Sequence, residues 1–290
     1  MRIGVAFPLT EIGKDPDVIR DFAQAVEGMG YQHFTCIDHV LGAGTAQEEW
    51  RAYYTRANMF HEVMVLFGFL AAATKSIELA TAILILPQRQ TALVAKQAAE
   101  IDVLTRGRLR LGVGLGWNAV EYEALNQNFR DRARRMEEQI EVMRLLWTRD
   151  LVTFKGKHHT LTDVGLNPEP VQRPIPVWIG AFEKPAIERA GRIADGWFLN
   201  PRVAPGNQAG DMIETFRSAA RAGGRDPTKL GIDCTVHIGG KTPEQCAAEL
   251  EHWRKHGATH VTLRTMYAGL KSPSEHIEAL RRIRAALPPS

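Results

Sequence analysis

Three cysteines, Cys36, Cys234 and Cys246, are all that 290 residues provide. They are too few and too scattered for a disulfide framework or a zinc knuckle, so a reducing compartment is expected. Long apolar runs are also scarce: the longest patch, near Val63–Ala73, is too short to span a bilayer. The chain opens on a strand-like RIGVAF rather than a leader, so a cytoplasmic protein without a membrane partner is expected. Charge of one sign does not accumulate. The net charge is +3, and the densest basic runs, Arg130–Arg135 and Arg281–Arg284, fall on predicted helices. The first of these runs reads as a solvated helix face interleaved with acids. A nucleic-acid surface needs a basic stripe with stacking aromatics, and the sequence has none. No Gly/Ser linker divides the chain, so a single domain over residues 1–290 is expected.

What the chain does have is alternation of strands and helices. Strand patterns cover Arg2–Phe7, His33–Val40, Ile77–Pro87, Arg108–Gly116, Pro176–Ala181, Gly196–Leu199, Leu230–Ile238 and Thr259–Thr265. Between them lie helical patterns, from one opened by Asp15-Pro16 and closed at Gly30 to a last one at Glu275–Ala286. The others are placed at Glu62–Thr74, Leu93–Leu104, Arg130–Trp147, Lys184–Ala194, Met212–Ala222 and Pro243–His256. Residues 41–61 read as a long irregular loop and residues 150–174 as a hairpin with a proline-rich return. Eight such units in one chain predict an α/β fold of the (β/α)8 barrel type, with the active site at the C-terminal strand ends.

The stretch Ile101–Asn118, IDVLTRGRLRLGVGLGWN, organises the rest. A helix ends, Arg106-Gly107 turns, and a strand follows. Its Leu109, Leu111, Val113 and Leu115 alternate with Arg110, Gly112, Gly114 and Gly116. One face is therefore almost bare backbone. Glycines there signal a bulge, close approach by another backbone or room for a flat ligand; alternatively they only let a crowded interior pack. The dinucleotide fingerprint needs GxGxxG in a turn that opens a helix, which this is not.

The predicted strand ends carry few ionisable groups: Asp38, His39, His237 and Arg264. Metal-binding HxH, a carboxylate pair on two strand ends and a strand-end lysine are all missing, which disfavours metallohydrolases, glycosidases and Schiff-base aldolases. A glycine-lined mouth with a histidine suits a bound cofactor that carries the chemistry itself.

At this point the chain resembles the luciferase-like oxidoreductases, whose barrels hold FMN or the deazaflavin coenzyme F420, with the segments nearest the F420 subgroup. The carrying residues are IDHV at 37–40, the run from Ala80 to Leu125, FRDRARRMEEQIEVMRLLW at 129–147, PVWIGA at 176–181 and ADGWF at 194–198. The resemblance implies a luciferase-like barrel using F420 for hydride transfer to or from a small organic substrate. An FMN-dependent monooxygenase served by a separate flavin reductase is the alternative, and a non-catalytic flavin-binding barrel a third. It further implies a bulge at Thr81-Ala82-Ile83, often with a non-proline cis peptide, against the ring. Asp38 and His39 match the acid–histidine pair near the ring, and Gly116, Trp117 and Asn118 the edge along the cofactor tail. Gly180-Ala181 stands where two glycines hold phosphate through backbone amides; alanine suits that place only if φ is negative. His39 is the catalytic candidate, as acid, base or charge stabiliser. Phe7, Trp50 and Arg264 are the substrate candidates, and Trp50, Tyr53 and Tyr54 form either a lid or a dimer contact. Trp178, Trp197, His237 and the Met136/Ile140/Met143/Trp147 stripe read as structural. Helices flanking strands two and three are the expected homodimer face.

Overall fold

A computed structural model describes residues 1–44 and 54–287. In chain order the strands are β1 (Arg2–Ala6), β2 (His33–Cys36), β3 (Glu78–Thr81), β4 (Leu84–Ile85), β5 (Leu109–Gly114), β6 (Val152–Lys155) and β7 (Thr160–Val164). There follow β8 (Val177–Ala181), β9 (Gly196–Leu199), β10 (Gly231–His237) and β11 (His260–Arg264). The helices are α1 (Pro16–Gly28), α2 (Val63–Ala73), α3 (Thr91–Thr105), α4 (Ala119–Ala124) and α5 (Arg132–Thr148). The last four are α6 (Lys184–Ile193), α7 (Asn207–Ala222), α8 (Pro243–Lys255) and α9 (Pro273–Ala286).

The main sheet runs β3-β2-β1-β11-β10-β9-β8-β5-β4, and an added β3–β5 pairing closes it into a ring. All its pairings are parallel, so this is a TIM barrel in which β3 and β4 share one of eight positions. The hairpin β6–β7 is antiparallel and stands apart from the ring, where the proline-rich stretch was expected to return.

Local chemistry explains the boundaries. Asp15 caps α1 through the Asp17 N–H with Pro16 in its first turn, and Thr242 and Gln245 close a reciprocal capping box on α8. Arg106 ends α3 at φ 60° and Gly107 follows at 82°, the left-handed exit that lets β5 start immediately. All of β5 is buried, as a strand covered on both faces must be. Met136, Ile140, Met143 and Trp147 are buried against the barrel, as are Trp178 and Trp197.

Three expectations needed correction. The third strand is not continuous from Ile77 to Pro87 but breaks at a cis Ala82–Ile83 peptide, where the resemblance had placed a bulge. The second strand stops at Cys36, leaving Asp38 and His39 on the loop beyond it. A short helix, α4, occupies residues just after Asn118, between the expected strand at Arg108–Gly116 and the expected helix at Arg130–Trp147, where no helix was placed.

The break explains the glycine face. A Cβ at Gly112 would lie 2.0 Å from the Thr81 carbonyl oxygen and 2.5 Å from the Phe198 ring. At Gly114 it would lie 2.6 Å from Ile83 Cδ1, and at Gly116, where φ is +65°, 2.7 Å from Ile85 Cγ2. The glycines make room for the displaced neighbouring strand. They do not themselves leave a slot for a flat ring, which corrects that part of the expectation; Ala82 and Ile83, pushed inward, present the wall instead.

Beneath this layer a charged network fills the barrel floor. Arg110 pairs with Glu78 (2.7 Å) and Asp233 (3.2 Å) and lies over the rings of Trp178 and Phe198 at 4.3 and 5.1 Å. Asp233 also accepts from Thr262 (2.9 Å), whose hydroxyl meets His33 Nε2 at 2.9 Å. Burial pushes the Asp233 carboxyl up to about 6 against the pull of Arg110.

Candidate functional site

Two adjoining cavities open at the C-terminal strand ends, where a barrel places its chemistry. The inner one, about 520 Å³, is bounded by Phe7, Ala82, Ile83, Gly114, Gly116, Trp117, Gly180, Ala181 and Phe198, with Asp233 and Thr262 below. The outer one, about 1130 Å³, is bounded by Asp38, His39, Tyr54, Trp117, Arg202, His237, Arg264 and Tyr267. Ala82, Ile83, Gly116, Trp117 and Arg264 belong to both, so the cavities share a wall. The bulge is that wall.

His39 sits on the outer side within an aromatic cluster, its ring 4.8 Å from Phe60, 5.5 Å from Tyr54 and 5.6 Å from Trp117. Its partner is not Asp38. His39 Nδ1 meets Glu121 Oε2 at 3.1 Å, and Glu121 Oε1 accepts the N–H groups of Val40 (2.5 Å) and Leu41 (3.1 Å). Burial opposes ionisation of Glu121, but the hydrogen bonds from His39, Leu41 and Val40 outweigh it and hold the carboxyl below its ordinary value. An ionised Glu121 accepts a hydrogen bond from Nδ1–H, which fixes the tautomer whose Nε2 carries the free lone pair. Sequence reasoning missed Glu121 altogether. It lies in a helix that the sequence pattern did not predict, and nothing local marks its reach across to residues 39–41.

Asp38 is engaged elsewhere: its carboxylate accepts from Arg89 Nη2 at 2.8 Å and from the Ile85 N–H at 3.1 Å. It pins β4 just beyond the bulge. Thr81 also braces rather than lines, donating to the Gly112 carbonyl at 2.7 Å. Asn118 is buried at the start of α4 and borders neither cavity. Thr81 and Asn118 therefore support the site from behind and Asp38 borders the outer cavity alone, whereas Ala82, Ile83, Gly116, Trp117, Gly180 and Ala181 line the inner one. Ala181 is not among the residues with positive φ, so its alanine costs the backbone nothing. Phe7 is at the inner wall, 99 % buried, with its ring 5.3 Å from Phe34 and 5.8 Å from Phe22. Trp50 and Tyr53, expected over the mouth, lie outside the described residues.

Arg132 and Arg189 were not expected here. Both border the inner cavity beside Gly180, Ala181 and Glu183. Arg132 stacks 3.7 Å from the Phe129 ring and donates to the Phe129 carbonyl, leaving its buried Nε without a partner among the described residues. Arg189 donates to Glu137 at 2.5 Å. The basic run that read as solvated thus turns Arg132 into the inner cavity, beside Gly180 and Ala181, and leaves Arg135 largely buried as well.

His237 Nε2 meets the Pro201 carbonyl at 3.0 Å, and burial, then the charge of Arg264, lowers its pKa. Arg264, the last residue of β11, donates to Tyr54 Oη at 3.3 Å and lies 5.7 Å from the Tyr267 ring.

Known proteins share this frame. The family described as Luciferase-like monooxygenase matches residues 1–289. An FMNH(2)-dependent dimethylsulfone monooxygenase from Pseudomonas putida is 32 % identical over 240 residues, 81 % of this chain and 62 % of that protein's length. An F420-dependent glucose-6-phosphate dehydrogenase from Kineococcus radiotolerans is 28 % identical over 82 % of the chain and 68 % of its own length. Among solved structures, a monooxygenase from Streptomyces bottropensis superposes with a TM-score of 0.81 at 19 % identity, covering 99 % of this chain and 98 % of that one. An F420-dependent secondary alcohol dehydrogenase gives 0.78 at 18 % identity, with 99 % of both chains covered. A closed parallel barrel, a third strand broken over the cavity wall and a family match along almost the whole length lead to one assignment: the chain belongs to the luciferase-like monooxygenase family.

Proposed function

We propose that the protein is an oxidoreductase that uses coenzyme F420 for hydride transfer to or from a small organic substrate. The observation that carries this reading is the inner cavity walled by Ala82 and Ile83, which meets the outer one beside a histidine oriented by a buried carboxylate. The residues fit such a cofactor. The small side chain of Ala82 and the apolar wall of Ile83 suit a flat ring, and Arg132 Nε, without a partner among the described residues, suits an anionic tail together with the Gly180-Ala181 backbone. When bound, a deazaflavin supplies a hydride acceptor or donor at its ring. The protein's own part is then positioning and proton movement. Glu121 holds Nδ1 of His39, so that Nε2 takes the proton of a substrate hydroxyl on oxidation and returns it on reduction. Trp117, Tyr54 and Phe60 crowd that ring and limit water around it.

An FMN-dependent monooxygenase supplied by a flavin reductase is the second reading, favoured by the 32 % identity to the FMNH(2)-dependent sulfone monooxygenases. Parallel titration of the purified protein with F420 and FMN, followed by ligand fluorescence, separates the two. Tight binding of F420 alone is expected; preference for FMN replaces the first reading with the second, and binding of neither removes both. Binding without turnover across a substrate panel leaves only a flavin-binding barrel. We also propose a homodimer through α2 and α3, on which Val65, Phe69, Leu93 and Leu104 stay 42–71 % exposed.

A further inference from the structure

We propose that Arg264 is the anchor for an anionic group, a carboxylate or sulfonate, on a small organic substrate held in the outer cavity. The proposal rests on the reading above that a flat cofactor takes the inner cavity and the substrate the outer one.

The argument starts from charge balance. Arg264 borders both cavities at the end of β11, and its guanidinium faces Tyr54 Oη at 3.3 Å and the Tyr267 ring at 5.7 Å. Its Nε is buried and has no hydrogen-bond partner among the described residues. A guanidinium has five donors and no way to shed its charge, so an unfilled buried donor is a demand for an acceptor. The acids nearby do not answer it. Asp38 is taken by Arg89 and the Ile85 N–H, and Asp233 by Arg110 and Thr262. Nor does the adjacent His237 share the charge, since burial and Arg264 itself hold it toward the neutral form. Among the described residues, then, Arg264 faces the mouth without a carboxylate partner.

Geometry selects the class of acceptor. A planar fork flanked by a phenol hydroxyl and an aromatic face suits a two-oxygen head such as carboxylate or sulfonate. His39 lines the same outer cavity, so a substrate with its acid on Arg264 presents its remaining carbon chain toward His39 and the shared Ala82–Ile83 wall. This differs from the neutral sulfone named for the Pseudomonas putida relative, and that difference supplies the test.

Methanesulfonate and dimethyl sulfone are nearly equal in size and differ in charge. Isothermal calorimetry with each compound, on the cofactor-loaded and the cofactor-free protein, reads the site without requiring turnover. The expected result is saturable methanesulfonate binding at least ~10-fold tighter than dimethyl sulfone, weakened by added salt and retained when cofactor is bound. Arg264→Gln should remove that preference, ~10-fold or more, and leave cofactor affinity within about 2-fold; Arg264→Lys should keep part of it. Equal affinity for the two compounds overturns the proposal. So does displacement of methanesulfonate by the cofactor, or loss of cofactor affinity in Arg264→Gln, either of which would make Arg264 a cofactor-tail residue. If the Gln variant does not fold, the wild-type preference and the Lys variant decide. If no cofactor binds, the function proposed above fails, while methanesulfonate binding to the cofactor-free protein still decides this one.

Discussion

Arg110 and Arg264 both sit on barrel strands and both lie against aromatic rings, yet only Arg110 is neutralised. In the floor, Arg110 is held by Glu78 and Asp233 between Trp178 and Phe198. One terminal nitrogen, Nη2, stays unpartnered there, but the charge itself is balanced. In the mouth, Arg264 meets a hydroxyl and a ring and no acid among the described residues. A buried pair made this way fixes the barrel's interior, and breaking it is costly because the survivor is left desolvated. An unmatched arginine beside a cavity does little for the fold; its use is in what it binds. The carboxylates repeat the lesson. Asp233 in the floor is raised by burial, whereas Glu121 near the mouth is lowered by the hydrogen bonds that hold His39 and its loop.

This contrast can be broken at several points. The largest effect is expected from His39→Ala, which should reduce the rate of hydride transfer ~10²–10⁴-fold in stopped-flow, with a stability loss of only about 1–2 kcal/mol from the hydrogen bond to Glu121. A matching loss of stability would place His39 with the structural groups. Next, Asp233→Ala should lower unfolding free energy by about 3 kcal/mol in a denaturant titration, since it strands Arg110. Gly112→Ala tests the packing of the broken strand. Its new Cβ would meet the Thr81 carbonyl, and a loss of about 2 kcal/mol is expected by the same titration. A neutral outcome would mean the bulge can shift.

The two carboxylates should then separate by pH. Asp233 is raised from 3.8 to about 6, so its contribution is present below the lower value and lost as pH rises through the upper one. Glu121 is lowered from 4.5, so its contribution is present above that value and lost as pH falls through the depressed one. Unfolding curves at a series of pH values should therefore flatten on the rising side in Asp233→Asn and on the acid side in Glu121→Gln. The same slope in both variants would erase the distinction between floor and mouth. The smallest expected effect is that of Arg264→Gln on stability, within about 1 kcal/mol of the parent, as for a group without a buried partner to strand.

Periodicity made the barrel legible, because strands covered on both faces read as apolar runs and the intervening helices as amphipathic ones. It also placed Arg264 at the end of its strand, while His39 lies three residues beyond the end of β2. What it missed was contact between distant segments. Glu121 and His39 are 82 residues apart, and Arg132 hides in a run of which Arg130 and Arg134 are indeed exposed. Asp38 looked like the partner of His39 because it is adjacent in sequence. Adjacent residues beyond a strand end point different ways, and Asp38 turned toward Arg89. Gly112, Gly114 and Gly116 announced a close approach correctly, while only the fold shows that Thr81, Ile83 and Ile85 are what approaches.

The central claim is that the inner cavity behind the Ala82–Ile83 wall holds a flat redox cofactor. The dissociation constant of F420 for the parent and for Ala82→Phe, with melting temperatures as a folding control, tests it most directly. The account predicts saturable binding to the parent and a loss of ~10²-fold or more in a variant that still melts cooperatively, because the phenyl ring takes the space of the cofactor. Equal binding by a folded Ala82→Phe protein would contradict it.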